Sequence, residues 1–398
     1  MAFDFIGLAI AYFSVFGIFS ILALSLNLEY GFGGQPNFGQ VLFYGAGAFT
    51  AGIVSSTLIR LYSGFPPADI CDVNLLVQRE AIVNSNGGIA VAIWVVALIV
   101  AIGVGAGAGL LASYPALRVK EEWYLGMVLL VAGEMFRIIA RNTPQFFCGY
   151  NGLAGLLQPF ASLDNVVSLK NYSPELAEGI YTAVILVLAF ICYLIVQRMS
   201  NSPFGRVLKS VRDDRIAAET AGKDINKVRK QVLIIGSAMA GLAGALYSFY
   251  IGVAIADDYI SAVTFSLFVM IVLGGIANNR GVFVGVAILT ALDRGTLILG
   301  TLLQGVFPHF DPNLLSYLRY MLEAALLLVL LMFRPKGIFP EGRVKTKAYT
   351  LFDFGKGKKG EDETTSPPAE KQTEKKNEEP SKVIEQQASA TTTKQQQQ

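Results

Sequence analysis

The chain has 398 residues, of which 53% are hydrophobic and only 16% charged, with a formal net charge of +2 and a mean hydropathy of +0.50. Soluble domains carry about 25% charged residues. Here residues 341–398 alone hold 11 of the 32 Lys/Arg and 10 of the 30 Asp/Glu. The first 340 residues are therefore too poor in charge for an ordinary soluble enzyme, and the near-neutral balance offers no footprint for nucleic acid.

Apolar segments of spanning length occur at 6–28, 38–61, 88–112, 123–140, 179–197, 230–252, 263–279, 282–303 and 318–333. About 20 residues cross the hydrocarbon core, and a helix satisfies its own backbone there. The period-2 pattern of a membrane barrel is absent. The expected fold is all-α: a polytopic transmembrane helical bundle of 8–10 helices over 1–340, with a disordered tail over 341–398. The opening Met-Ala-Phe-Asp lacks the basic start of a cleaved leader, so the first run reads as a retained helix.

Glycine-rich breaks follow the apolar runs at Gly31–Gly39, Gly149–Gly152 and Gly274–Gly275. A broken helix exposes backbone dipoles that suit a zwitterion, with N–H ends toward carboxylate and free carbonyls toward ammonium; each break also reads as an ordinary turn. Gly236, Ala240 and Gly244 share a helix face, and Gly103 and Gly107 have the same spacing, with Gly105 and Gly109 beside them. Such stripes let helices approach closely. No βαβ context supports a dinucleotide reading.

Three carboxylates lie inside spans: Glu134, Asp293 and Glu323. Intramembrane charge is costly and marks candidate sites. Glu134 can pair with Arg137, and Glu323 with Arg319, along one helix. Asp293 and Arg294 are adjacent, hence on different faces, so one needs a partner on another helix or a wet cavity. A path that must release what it carries needs no dense charged pocket, and none is expected. The candidate pathway residues are Asn27, Gly31, Gly39, Gln40, Glu134, Gly149, Asn151, Gly274, Gly275 and Asp293.

Segment 198–230 carries nine Lys/Arg, and Arg334, Lys336, Arg343, Lys345 and Lys347 follow the last span. Both stretches are expected on the cytoplasmic side, with 62–87, 141–178, 254–262 and 304–317 outside. The side of the N-terminus stays open, because Glu29–Asn37 reads as a turn or a re-entrant segment. Cys71, Cys148 and Cys192 are dispersed, and His309 is the only histidine. No clustered Cys/His set suggests a metal, and His309 reads as a loop residue rather than a catalytic base. The tail beyond 353 is rich in Lys, Glu, Gln and Thr and ends in Gln395–Gln398; it has too little apolar surface to bury.

The long basic loop (199–230) looks organised. Ser202 before Pro203 reads as an N-cap with proline at the first helical position. A short helix over Phe204–Arg212 follows. Asp213 or Asp214 caps a second helix over Arg215–Ala221, closed by Gly222. Two readings stay open: a helix that docks on a soluble partner, or one that lies on anionic lipid.

Ser202-Pro203-Phe204-Gly205-Arg206, Arg212-Asp213-Asp214 and Ile216-Ala217-Ala218-Glu219-Thr220-Ala221-Gly222 resemble the coupling loop of ABC-importer permeases, and more narrowly those of branched-chain amino-acid importers. Ile216 stands where the general signature has Glu. Leu24–Gly34, Phe38–Thr50, Pro115–Arg118 with Glu134 and Arg137, Gly149–Leu153, Gly236–Gly244 and Arg334–Phe339 resemble further blocks of that family, in order over about 1–340. The resemblance implies a multi-pass permease subunit in the cytoplasmic membrane, paired with a second permease (identical or related). Two cytoplasmic ATPase subunits would bind the ATP, and an extracytoplasmic substrate-binding protein would deliver the cargo. Arg206, Arg212, Asp213, Asp214, Ala217, Ala218, Glu219 and Gly222 would then meet the ATPase. No G-x-x-x-x-G-K-[ST] occurs, so no cofactor is expected in this chain and no ATP hydrolysis by it. Alternatives are another small solute (urea, amides or a simple sugar), a self-sufficient channel or secondary transporter, and a polytopic membrane enzyme.

Overall fold

The computed structural model describes residues 5–64, 71, 86–118, 122–156, 158–160, 175–306, 313–334 and 337–341. His309, Lys336 and the expected tail beyond 341 lie outside them. The eleven main helices are α1 Phe5–Leu26, α2 Gln40–Ser63, α3 Gly87–Arg118, α4 Glu122–Asn142, α5 Glu175–Ser200, α6 Pro203–Asp213, α7 Arg215–Thr220, α8 Ile225–Ile251, α9 Ser261–Gly274, α10 Asn279–Val306 and α11 Asn313–Phe333. Each of the nine apolar segments falls on one of the long helices. Eight helices among the described residues are long and apolar enough to cross a membrane. The all-α membrane bundle expected from the sequence is the observed fold.

α8 sits at the centre, enclosed by α3, α2 and α1, with α1 also against α5 and α10. Lipid supplies no hydrophobic drive between helices, so close approach matters. The α8 face bearing Gly236, Ala240 and Gly244 turns toward α1 and α2: a β-carbon at Gly244 would collide with the Tyr44 carbonyl, and one at Gly236 with the Glu29 carboxylate. On α3 the packing glycines are Gly105, whose added β-carbon would come within 2.6 Å of the Ser237 carbonyl, and Gly109, which abuts the Ser237 side chain. Gly103 and Gly107 face open space, so the contact stripe on α3 is shifted by two residues from the one expected.

The bundle has two distinct ends. At the loop end, α1 runs on through a π-helical stretch, Asn27–Phe32, into the turn that starts α2. Residues 29–37 thus join two long helices. The same end holds α6, α7 and the Gly274–Asn279 turn. The apolar segment 263–279 stops at Gly274, because Gly275 takes φ +119 and turns the chain into α10. The irregular stretch 337–341 after α11 folds back here, with Ile338 N and Phe339 N donating to the Leu273 and Gly274 carbonyls. Residues 337–341, just after Arg334, therefore lie at the same end as the 198–230 loop, whereas Arg343, Lys345 and Lys347 lie outside the described residues.

At the opposite, bridge end, a disulfide joins Cys71 to Cys148, and Leu153–Ala154 pairs antiparallel with Val253–Ala254. The start of α1 lies toward this end, since Ser14 Oγ and Thr182 Oγ1, near the start of α5, are 2.6 Å apart. Exposed Val131, Met135 and Ile138 on α4, Val187, Phe190 and Leu194 on α5, and Leu328 and Val329 on α11 form the bundle's outer surface, with Trp123 and Tyr124 at its loop-end rim. Apolar flanks with rim aromatics are what a bilayer requires.

Candidate functional site

The loop between α5 and α8 is a capped, self-supporting unit. Ser202 Oγ accepts from Gly205 N at 3.4 Å with Pro203 at the first turn. Asp214 Oδ1 accepts from Ala217 N at 3.0 Å, and Asp224 Oδ1 from Lys227 N at 3.0 Å. Gly222, at φ +73, closes α7: its N–H reaches the Glu219 carbonyl and that of Lys223 the Ala218 carbonyl, a Schellman ending. Val211, Ala218 and Ile225 pack into a small core beneath the loop.

These contacts divide the residues named from sequence. Arg206, Asp213, Asp214, Ala217, Glu219 and Gly222 are exposed. Ala218 is buried against Val211 and Ile225, so it supports the loop from below and is closed to a partner. Arg212 is turned inward. Its Nη1 donates to the Gly31 carbonyl at 2.7 Å, and its Nη2 lies 2.9 Å from the Glu341 carboxylate, which also takes Lys209 at 2.9 Å. Both departures have one cause: a short helix lying on the bundle has an under-face, and Ala218 and Arg212 fall on it. Ile216, 75% exposed, is the large apolar side chain at the tip. The sequence reading had treated it only as a mismatch to a signature.

Arg212 reaches a belt of buried amides where α1 breaks. Asn27 Nδ2 donates to Asn279 Oδ1 (3.0 Å), and Asn27 Oδ1 accepts from Ala277 N (3.0 Å). Asn279 Nδ2 donates to Gln197 Oε1 at 2.9 Å, tying in the end of α5. Asn37 Nδ2 donates to Glu29 Oε2 (2.7 Å) and Gln40 Oε1 (2.6 Å), and Gln40 Nε2 donates to Ser25 Oγ. Side-chain amides in a low-dielectric interior must find partners, and this belt supplies most of them. Gly31 makes room for it, since a β-carbon there would meet Asn27 Oδ1, whereas Gly39 lets α4 approach, since one there would meet the Leu129 carbonyl. Gly274 packs against Gly281 in the first turn of α10, and Gly275 against Phe339 after α11.

The remaining sequence-named residues lie elsewhere. At the bridge end Glu134 accepts from Arg137 Nε (2.8 Å) and from Ser261 Oγ (2.6 Å), capping α9. Gly149 and Asn151 form a one-turn 3-10 helix beside the disulfide. Asp293 alone opens into a cavity of about 240 Å³ between α1, α8, α9, α10 and α11. Its charged wall is Asp257, Asp258, Asp293, Arg294, Arg319 and Glu323; Tyr247, Ser266, Thr290 and Tyr320 add polar groups, and apolar side chains such as Val15, Phe19, Met270 and Leu289 complete the lining. Arg319 Nη1 bonds Asp293 across helices, its Nε stands 3.5 Å from Glu323, and Ser266 Oγ donates to Glu323 at 2.8 Å. Asp293 thus finds the cross-helix partner that its spacing demanded. Contrary to expectation, a charged pocket exists. Its charges come from three stretches, 256–258, 293–294 and 319–323, too distant in sequence to be seen as one.

Two kinds of polarity therefore occur inside the bundle. One links a surface loop to a helix break, which suits transmission of movement. The other presents both charge signs next to apolar walls, which suits a small amphipathic solute.

Comparison with known proteins bears on that solute. Over residues 8–331 the sequence matches the family described as "Branched-chain amino acid transport system / permease component". It is 31% identical over 342 residues to the "Probable branched-chain amino acid transport permease protein LivM" of Methanocaldococcus jannaschii, covering 83% of this chain and 93% of that protein. It is 24% identical over 345 residues to the "High-affinity branched-chain amino acid transport system permease protein LivM" of Escherichia coli and to that of Salmonella typhimurium, covering 83% of this chain and 69% of each. No solved structure matches.

Proposed function

The chain belongs to the family of branched-chain amino acid transport permeases, and from that premise we propose that it is the membrane subunit of an ATP-driven importer in the cytoplasmic membrane, moving branched-chain amino acids by alternating access. A second permease, identical or related, completes the pathway. Two ATPase subunits bind and hydrolyse ATP from the cytoplasm, and a substrate-binding protein delivers cargo from outside. This chain supplies transport and no hydrolytic site.

The observation that carries this reading is the inward grip of Arg212. A partner that presses on the exposed tip, Ile216 and Ala217 with Arg206 and Glu219, moves α6 and α7 together, because caps and a shared core make them one body. Arg212 then conveys the movement to the Gly31 carbonyl at the break of α1, and the Asn27–Asn279–Gln197 chain passes it to α10 and α5. Interlocked hydrogen bonds and packed cores respond in discrete steps, which a switch between outward- and inward-facing states requires. The basic stretches favour the loop end as cytoplasmic. The Cys71–Cys148 bridge at the other end suits an oxidising exterior.

The test is co-purification with a tagged ATPase subunit, together with uptake of labelled leucine in cells carrying the whole assembly. Ala217→Trp blocks the exposed face without entering the small core under the loop. It is expected to abolish both capture and uptake, with membrane levels unchanged. Normal uptake by this variant counts against the docking role.

A further inference from the structure

The cavity between α1, α8, α9, α10 and α11 contains groups whose bonding is incomplete. Arg294 has Asp293 as its nearest carboxylate, at 3.7 Å, and its Nε makes no hydrogen bond. Asp257 is taken by Arg137 and Arg141, whereas its neighbour Asp258 has no ion pair among the described residues. The Thr290 hydroxyl, on a residue only 2% exposed, lines the cavity with no hydrogen-bond partner. Burying an unpaired hydroxyl and unbalanced charges costs free energy. A fold that keeps them beside open space leaves them for something that enters.

Shape and chemistry narrow what enters. A water needs about 10–15 Å³ of such space, so about 240 Å³ has room for one small amino acid. Neither an anion nor a cation alone matches a wall that carries both signs. Val15, Phe19, Met270 and Leu289 ask for an aliphatic group. We infer that this cavity is a transient subsite for an α-amino acid with an aliphatic side chain. Arg294 takes the carboxylate, Asp258 the ammonium, and Thr290 hydrogen-bonds the bound backbone. The apolar wall receives the side chain. Arg319, held by Asp293 and near Glu323, is the frame rather than the receptor. Because Asp293 also competes for Arg294, binding is weak, as a pathway that must release its cargo requires. This inference rests on the permease reading and deepens it by locating cargo inside a single subunit.

The test has two arms. Purified full-length chain in nanodiscs is probed by saturation-transfer NMR with L-leucine, with 3-methylbutylamine, which lacks the carboxylate, and with 4-methylpentanoate, which lacks the ammonium. Leucine alone is expected to give a signal. Arg294→Gln and Thr290→Val should lose it, with Arg294→Lys restoring part. Equal signals from the amine or the acid, or a leucine signal indifferent to Arg294→Gln and Thr290→Val, overturn the subsite. In cells with the whole assembly, Arg294→Gln should lower leucine uptake about tenfold and Thr290→Val about threefold, at wild-type membrane levels. Full uptake by both variants overturns the subsite and leaves the permease reading standing. Absence of leucine uptake by the wild-type assembly overturns the permease reading, and the nanodisc arm then still decides on the cavity.

Discussion

The amide belt at the loop end and the charged cavity nearer the bridge end both place polar side chains inside an apolar bundle, yet they are finished differently. In the belt, Asn27, Asn37, Gln40, Asn279 and Gln197 bond one another or nearby backbone, and Glu29 Oε1 and Gln35 Nε2 are the side-chain atoms left over. In the cavity, Thr290 Oγ1, Arg294 Nε and Arg319 Nε have no hydrogen-bond partner, and Asp258 has no ion pair among the described residues. Satisfied polarity fixes geometry and so transmits force; unsatisfied polarity waits for a ligand. The difference lies in partners rather than in residue type.

The comparison can be broken or sharpened by substitution. Gly244→Leu should do most harm, because even a β-carbon meets the Tyr44 backbone and neither helix can yield. A loss on the order of 3 kcal/mol is expected, read as absence of monodisperse protein after detergent extraction. Asn27→Leu strands Ala277 N and Asn279 Oδ1 together, at a cost of about 2–3 kcal/mol; thermal unfolding in detergent should shift down accordingly. Thr290→Val removes a hydroxyl with no partner and keeps the volume, so stability should change by less than about 0.5 kcal/mol. If Thr290→Val were as damaging to stability as Asn27→Leu, the distinction between the two regions would fail.

Much of this was legible in the sequence for reasons of range. Runs of apolar residues announce helices by composition, so nine segments fell on nine helices. The caps at Ser202, Asp214 and Gly222 follow from chemistry within three or four residues. The face of a short helix is harder: Ala217 and Ala218 look alike in sequence, and only packing separates the exposed one from the buried one. The cavity was invisible because Asp258, Arg294 and Arg319 meet through tertiary folding. Gly103 and Gly107 misled, since α3 carries glycines on two faces and spacing alone does not say which one meets α8.

The covalent link between Cys71 and Cys148 has a practical consequence. In the orientation proposed above, the end that holds it lies in the oxidising compartment. A molecule threaded the wrong way would leave both sulfurs as thiols in a reducing environment, and they would take up a maleimide label and retard the band on a gel. A correctly inserted one would resist the reagent at these two positions until treated with a reductant. The bridge thus serves as a reporter of topogenesis in the isolated chain, read against the free, buried Cys192 as the internal reference.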